Sequence, residues 1–239
     1  MRVLLIDDER LARAELRRLL AAHPEVQIVG EAVNAADGVR QIAALKPDLV
    51  FLDVQMPGGS GFDMLAALDE APEVIFTTAF DQYALQAFEV NALDYLQKPI
   101  QAARMAAALQ RCAVRHQRAV ANSAATVAPT AAKKLFIKDG ERCWFVGLQD
   151  VRLFESEGNY TRVYFGQEKP LMLRSLNQLE ERLDPQRFFR ASRRHIVNLD
   201  FVEQVTPNDA GGLDLTLRAG LQVEVSRRRA AQFKVLASL

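Results

Sequence analysis

Two rhythms of apolar and polar residues divide this chain. In the first half, short apolar runs alternate with stretches of helical spacing. "RVLLI" at residues 2–6 is a continuous apolar run, as expected for a strand buried on both faces. From Arg10 to Ala22, apolar residues recur at three- and four-residue steps, at Leu11, Ala14, Leu16, Leu19 and Leu20. That spacing predicts a helix. The alternation continues through "VQIVGE", a helix over roughly 35–45, "DLVFLD", a helix from about Gly61, "EVIFTT", a helix from about Gln82, "ALDYLQ" and a last helix from about Gln101. Five such units predict an α/β fold with a doubly wound parallel sheet and helices on both faces.

The rhythm stops at "AVANSAATVAPTAAKK", residues 119–134, which is small, polar and without sustained period. It reads as a linker, with its alanines able to extend the preceding helix. Beyond it the pattern is strand-like. "KLFIKDGERCWFV" places two such runs around Asp139-Gly140, a hairpin signal. "DVRLFESE", "YTRVYF", "PLMLRS", "HIVNLDFVEQV", "GLDLTLRAG" and "LQVEV" follow, with turns at Gly158-Asn159, Pro207-Asn208 and Gly211-Gly212. Leu176–Leu183 and Arg227–Leu239 are the two helical segments expected there. This half is mostly β and antiparallel. The expected boundaries are 1–118 for the first domain, 119–132 for the linker and 133–239 for the second domain.

Composition narrows the class. At 49% hydrophobic and 25% charged, the chain matches a soluble globular protein. No apolar run approaches the ~18 residues of a membrane span, and the acid-broken N-terminus "MRVLLIDDE" is not a secretory signal. Cys112 and Cys143 lie in no metal or redox spacing, which fits a reducing cytoplasm. His23, His116 and His195 are equally scattered, which argues against a zinc site. Charge is balanced overall but uneven: residues 1–115 hold 11 Lys+Arg against 16 Asp+Glu, and residues 133–239 hold 18 against 14. An acidic front and a basic back point to two domains with different partners.

Candidate chemistry lies where the predicted strands end, since open α/β sheets bind ligands beyond the carboxyl ends of their strands. Strand one ends in Asp7-Asp8-Glu9, strand three in Asp53, strand four in Thr77-Thr78, and strand five is followed by Lys98-Pro99. In a flavodoxin-like order the first and third strands are neighbours, so Asp7, Asp8 and Asp53 should crowd together. Clustered carboxylates repel, and one should be driven toward protonation unless a cation intervenes. A hard ion such as Mg²⁺ suits oxygen ligands. An Asp carboxylate can also accept a phosphoryl group as a nucleophile. Thr78 and Lys98 sit where a hydroxyl and a positive charge would meet the phosphoryl oxygens.

The stretches "LLIDDE", "DLVFLDVQMPGGSGFDML", "VIFTTAF" and "DYLQKP" closely resemble the receiver domain of two-component response regulators, from Arg2 to about Arg115. The resemblance implies that Asp53 is phosphorylated by a cognate sensor histidine kinase. It implies Mg²⁺ held directly by Asp8, Asp53 and the Gln55 backbone carbonyl, and by Asp7 through water. Thr78 and Lys98 would hold the phosphoryl group, and Tyr95 would be the rotating switch. Ala79 is small, as access requires. The loop "PGGSG" is richer in glycine than is common in the family. Such a domain catalyses only its own phosphorylation and dephosphorylation and is a switch rather than an enzyme. The bistable face would be "YALQAFEV" with "DYLQKP", where Phe88 and Tyr95 are candidate interface aromatics.

In the β-rich half, arginines fall at turns and strand ends: Arg162, then Arg190, Arg193 and Arg194, then Arg227, Arg228 and Arg229. Arginine neutralises phosphates and can pair bidentately with guanine. "SRRRAA" sets cations at a helix start, where they are unfavourable unless an anion binds. No zinc-finger, basic-zipper or RNP signature is present. "DVRLFESEGNYTRVY", "SLNQLEERLDPQRFFRASRRHIVNLDFVEQV" and "VEVSRRRAAQFK" resemble the LytTR-type DNA-binding domain, from about Lys133 onward. That family sets loops of an elongated β-structure into successive major grooves. The resemblance aligns Thr161, Arg193 and Arg228 with base-reading positions. Asn159, Arg162, Arg190, Arg194 and Arg227 become neighbouring DNA contacts. Where the family often has His-Arg-Ser, this chain has Ser192-Arg193-Arg194, so its operator should differ.

The chain therefore reads as a cytoplasmic response regulator: a flavodoxin-like (βα)5 receiver, a linker and a mostly-β LytTR-type domain. Phosphorylation at Asp53 should favour a homodimer that engages repeated half-sites in double-stranded promoter DNA. Two other readings stay open. One is a Mg²⁺-dependent phosphatase-like enzyme on the same acids, although strand one is not followed by an Asp-x-Asp pair. The other is a phospho-switched protein-interaction adaptor whose basic half takes an acidic partner.

Overall fold

The structure, a computed structural model, describes residues 1–79, 94–123 and 134–236, and of residues 115–123 only the backbone. The chain divides into two compact units, Met1–Leu148 and Gln149–Leu239. No helix among the described residues is long and apolar enough to cross a membrane.

The first unit runs β1 (Arg2–Ile6), α1 (Arg10–Leu20), β2 (Gln27–Ala32), α2 (Ala35–Leu45), β3 (Leu49–Asp53), β4 (Gln55–Met56), β5 (Gly59–Ser60), α3 (Gly61–Ala67), β6 (Glu73–Thr78), β7 (Asp94–Gln97), α4 (Ala102–Ser123), β8 (Lys134–Asp139) and β9 (Arg142–Gly147). β1, β2, β3, β6 and β7 form a parallel sheet in the order β2-β1-β3-β6-β7. Successive side chains of a strand face opposite ways, and the two faces feed two cores. Leu4, Ile6, Val50, Leu52, Val74 and Phe76 pack with Ile42 of α2 and Phe62, Met64 and Leu65 of α3. Val3, Leu5, Leu49, Phe51, Ile75 and Leu96 pack with Leu16, Leu19 and Leu20 of α1 and Met105, Ala108 and Leu109 of α4. Each such side chain contributes about 1.5–3 kcal/mol by burial, so burial on both faces fixes the sheet. The strand ends that follow are set by this register.

The five predicted strands of this half and the helices near 10, 35, 61 and 101 are present. The helix expected from Gln82 lies outside the described residues, as does most of the expected linker. α4 runs on to Ser123, so residues 119–123 are helical, in line with their alanine content. The β8–β9 hairpin turns at Gly140, whose φ is +62°. Sequence reading assigned it to the second domain, yet by packing it belongs to the first unit. Its Phe136 and Cys143 are buried in the α3-side core, with Phe145 against them. The Ala71 N–H donates to the Lys134 carbonyl at 3.0 Å, and Lys134 and Lys138 pair with Glu73 and Asp63.

The second unit runs β10 (Val151–Glu157), β11 (Tyr160–Phe165), β12 (Leu171–Met172), α5 (Leu176–Glu180), β13 (Phe188–Arg190), β14 (His195–Asn198), β15 (Val202–Pro207), β16 (Leu213–Leu217), β17 (Leu221–Val225) and α6 (Arg227–Leu236). The strands form antiparallel sheets in the orders β12-β11-β10-β14-β13 and β15-β16-β17. Leu153, Phe189, Val197, Leu215, Val223, Val225 and Phe233 share one core. The helix expected over 176–183 is shorter, ending at Glu180. "FFR" is a strand that the sequence pattern did not announce: Phe188 pairs with Asn198 and Arg190 with Ile196. "ASRR", residues 191–194, thereby becomes a hairpin loop.

Candidate functional site

The register of the parallel sheet brings one set of strand ends to one rim. Ile6 lies opposite Leu52, Asp53 opposite Thr77 and Thr78 opposite Gln97. Asp7, Asp53 and Thr78 are buried there. Oxygens of Asp7, Asp8 and Asp53 all lie within 4.8 Å of one another. Lys98 Nζ stands 2.8 Å from Asp7 Oδ2 and 3.3 Å from Asp53 Oδ2. Asp7, Asp8, Asp53 and Lys98 are thus together, and Thr78 ends the adjoining strand.

The backbone holds them in place. The Glu9 N–H donates to Asp7 Oδ1 at 2.9 Å, and the Gln55 N–H faces Asp53 Oδ1 at 3.4 Å. Arg13 donates through Nη1 to the Asp7 carbonyl at 2.7 Å, and its Nε reaches Glu31 at 3.0 Å. Sequence reading missed Arg13, whose only signal was a basic residue one turn into α1. Gly61 was also missed as a contact: a Cβ there would lie 2.4 Å from the Asp53 carbonyl oxygen. The glycine-rich loop folds as the short β4–β5 ladder, with Gly58 at φ +87° in its turn. Ser60 then caps α3, with Asp63 completing a capping box.

Electrostatics follow from this packing. Burial pushes the Asp53 carboxyl up to about 6; the Lys98 charge opposes the rise and the Asp7 charge adds to it. Burial alone would lower Lys98, but its bonds to Asp7 and the charge of Asp53 hold it above the usual lysine range. An oxygen-rich pocket whose central carboxylate resists ionisation fits a small hard cation. Tyr95, on β7, is half-buried and packs beside the α3-side core. Phe88 lies outside the described residues.

The residues of the second unit expected at DNA separate into two groups. Arg193, Arg194, Arg227 and Arg228 are exposed, as is Asn159 in the β10–β11 turn. Arg194 reaches Glu155 Oε1 at 3.0 Å, yet 70% of its side chain is open to solvent. Arg193, Arg227 and Arg228 have no side-chain ion pair among the described residues. Three other predicted contacts are engaged by the protein itself. Thr161 is fully buried and its hydroxyl donates to the Arg174 carbonyl at 2.6 Å. The alternation of β11 points it inward, away from the exposed surface on which a base-reading role was expected. Arg162 pairs with Glu157 and donates to the Lys169 carbonyl at 3.0 Å. Arg190, also expected at DNA, is turned into its own loop, with 10% of its side chain exposed.

Comparison with known proteins bears on both units. Residues 3–110 match the family model of the response regulator receiver domain, and residues 141–238 that of the LytTr DNA-binding domain. An uncharacterised response regulatory protein of Vibrio cholerae is 37% identical, covering 97% of this chain and 96% of its own. The sensory transduction protein LytT of Enterococcus faecalis is 34% identical over 98% of each chain. The transcriptional regulatory protein BtsR of Escherichia coli is 38% identical over 95% of each.

Proposed function

Because this chain belongs to the response regulators that join a receiver domain to a LytTR DNA-binding domain, we propose that phosphorylation of Asp53 controls its hold on DNA. It is a DNA-binding transcription regulator, a switch rather than an enzyme. The observation that carries the phosphoryl reading is the convergence of Asp7, Asp8, Asp53 and Lys98 on one rim, with the buried Thr78 at the adjoining strand end.

A carboxylate oxygen of Asp53 attacks phosphorus of a phosphohistidine on the sensor kinase. The P–N bond breaks, its electron pair stays on the imidazole, and an acyl phosphate remains on Asp53. Asp7, Asp8, Asp53 and the Gln55 carbonyl would hold Mg²⁺, which supplies positive charge against the phosphoryl oxygens. Lys98 supplies a second positive charge from within the protein, and the Thr78 hydroxyl donates to a phosphoryl oxygen. Phosphorylation adds about one to two negative charges. Tyr95 and Phe88 then rearrange the face that forms a homodimer. Arg193, Arg194, Arg227 and Arg228, with Asn159, meet promoter DNA in repeated half-sites. A DNA-binding domain across the basic half favours this reading over an adaptor for an acidic protein.

Incubation with acetyl phosphate and Mg²⁺ should give one acid-labile, hydroxylamine-sensitive acyl phosphate, and Asp53→Asn should abolish it. Labelling that survives in Asp53→Asn would place the acceptor elsewhere.

A further inference from the structure

The loop bearing Arg193 and Arg194 is held from within. Arg190 leaves β13 with its guanidinium folded under the loop. Its Nε donates to the Ser192 carbonyl at 2.7 Å and its Nη2 donates to the Arg193 carbonyl at 2.9 Å. A planar fork can satisfy two carbonyls at once, which an ammonium on a flexible stem cannot do in the same geometry. Nη1 lies 3.4 Å from Glu180 Oε2, at the end of α5.

The same carboxylate faces the other basic segment. Glu180 Oε1 lies 3.4 Å from Arg229 Nη2, in the first turn of α6. A backbone bond ties these two segments directly: the Ser226 N–H donates to the Ala191 carbonyl at 3.1 Å. Four exposed arginines stand on the joined pieces, Arg193 and Arg194 on the loop and Arg227 and Arg228 at the start of α6.

We propose that Arg190 and Glu180 are positioning residues that set the spacing and aim of these two arginine pairs, and so determine sequence specificity without touching DNA. The proposal rests on the reading of those four arginines as DNA contacts. It predicts an effect whose sign simple electrostatics does not. Glu180 is 40% exposed near a surface that meets an anion. Removing its charge should by charge alone strengthen binding to any duplex. If Glu180 positions, its removal instead lowers discrimination.

The test uses the full chain, an operator selected in vitro with the native protein and a random duplex of equal length, across a range of salt. Arg190→Lys should lower the operator-to-random affinity ratio about tenfold or more. Its affinity for the random duplex, and the salt dependence of that affinity, should stay at the native level. Glu180→Gln should lower the ratio while random-duplex affinity holds or rises; the exposed position keeps this variant folded should Arg190→Lys unfold. An unchanged ratio in either folded variant overturns the proposal. So does a loss in Arg190→Lys that falls equally on operator and random duplex, the mark of a phosphate contact. Arg193→Ala is the separate control: native affinity and ratio in that variant would remove the contact reading itself.

Discussion

Asp53 carries opposed demands. As the proposed phosphoryl acceptor it must be ionised to attack, yet burial raises its pKa from 3.8 to about 6, with Lys98 resisting and Asp7 adding. The sign for stability follows. Between these values the folded chain binds the Asp53 proton more tightly than the unfolded chain does. Stability at this site is therefore lost as pH rises through that window, and above it the full penalty remains. An amide at this position has no charge to desolvate. In EDTA at pH 7.5, Asp53→Asn should be more stable than the native protein by about 1–3 kcal/mol. The difference should shrink toward pH 5, and Mg²⁺ should stabilise the native protein more than the variant. Urea unfolding can be followed by Trp144, the only tryptophan, which lies in the first unit. A difference independent of pH would mean that burial of charge is not what strains the site.

At the scale of elements, the β8–β9 hairpin separates apolar packing from ion pairing. Phe136 is 2% exposed, stacks with Phe62 at 6.4 Å and meets Phe145 edge-on at 4.9 Å. Phe136→Ala should cost about 3–5 kcal/mol in the unfolding of this unit. Lys138 pairs with Asp63 at the start of α3, but both side chains are substantially open to solvent. Lys138→Gln should cost no more than about 1 kcal/mol. Equal losses in the two variants would show that the pairing, not the aromatic contact, holds the hairpin. This hairpin also marks where sequence reading stops. Its strands and turn were legible from local alternation and Asp139-Gly140, but its membership of the first unit was not, because packing between distant segments leaves no local period. The acidic rim was legible for the opposite reason. In a parallel sheet all the strands end on the same side, so Asp7, Asp53, Thr78 and Lys98 follow from where the apolar runs stop. In the basic half, Thr161 follows the exposed Tyr160 and Arg190 lies in an arginine-rich run, and only the pairing of β11 and β13 with their neighbours shows that they turn inward.

For the whole molecule, the proposed function requires that a small change at Asp53 become a change in DNA occupancy. Arg193, Arg194, Arg227 and Arg228 stand on the second unit, and the proposed phosphoryl site lies in the first. If phosphorylation acts by pairing two chains, no new contact with DNA is required. The second LytTR domain binds at an effective concentration set by the first. The gain then depends on the number of half-sites in the DNA. On a duplex with two selected half-sites, phosphorylation should tighten binding by about 100-fold; on a duplex with one, affinity per chain should be nearly unchanged. Moving the half-sites apart by half a helical turn, about 5 base pairs, should abolish most of the gain by turning the second site to the opposite face of the duplex. Fluorescence anisotropy with Asp53→Asn as the unphosphorylated reference measures all three. A gain of equal size on the single half-site would instead require phosphorylation to release an inhibited DNA-binding surface within each chain, and a dimer would then be incidental to control.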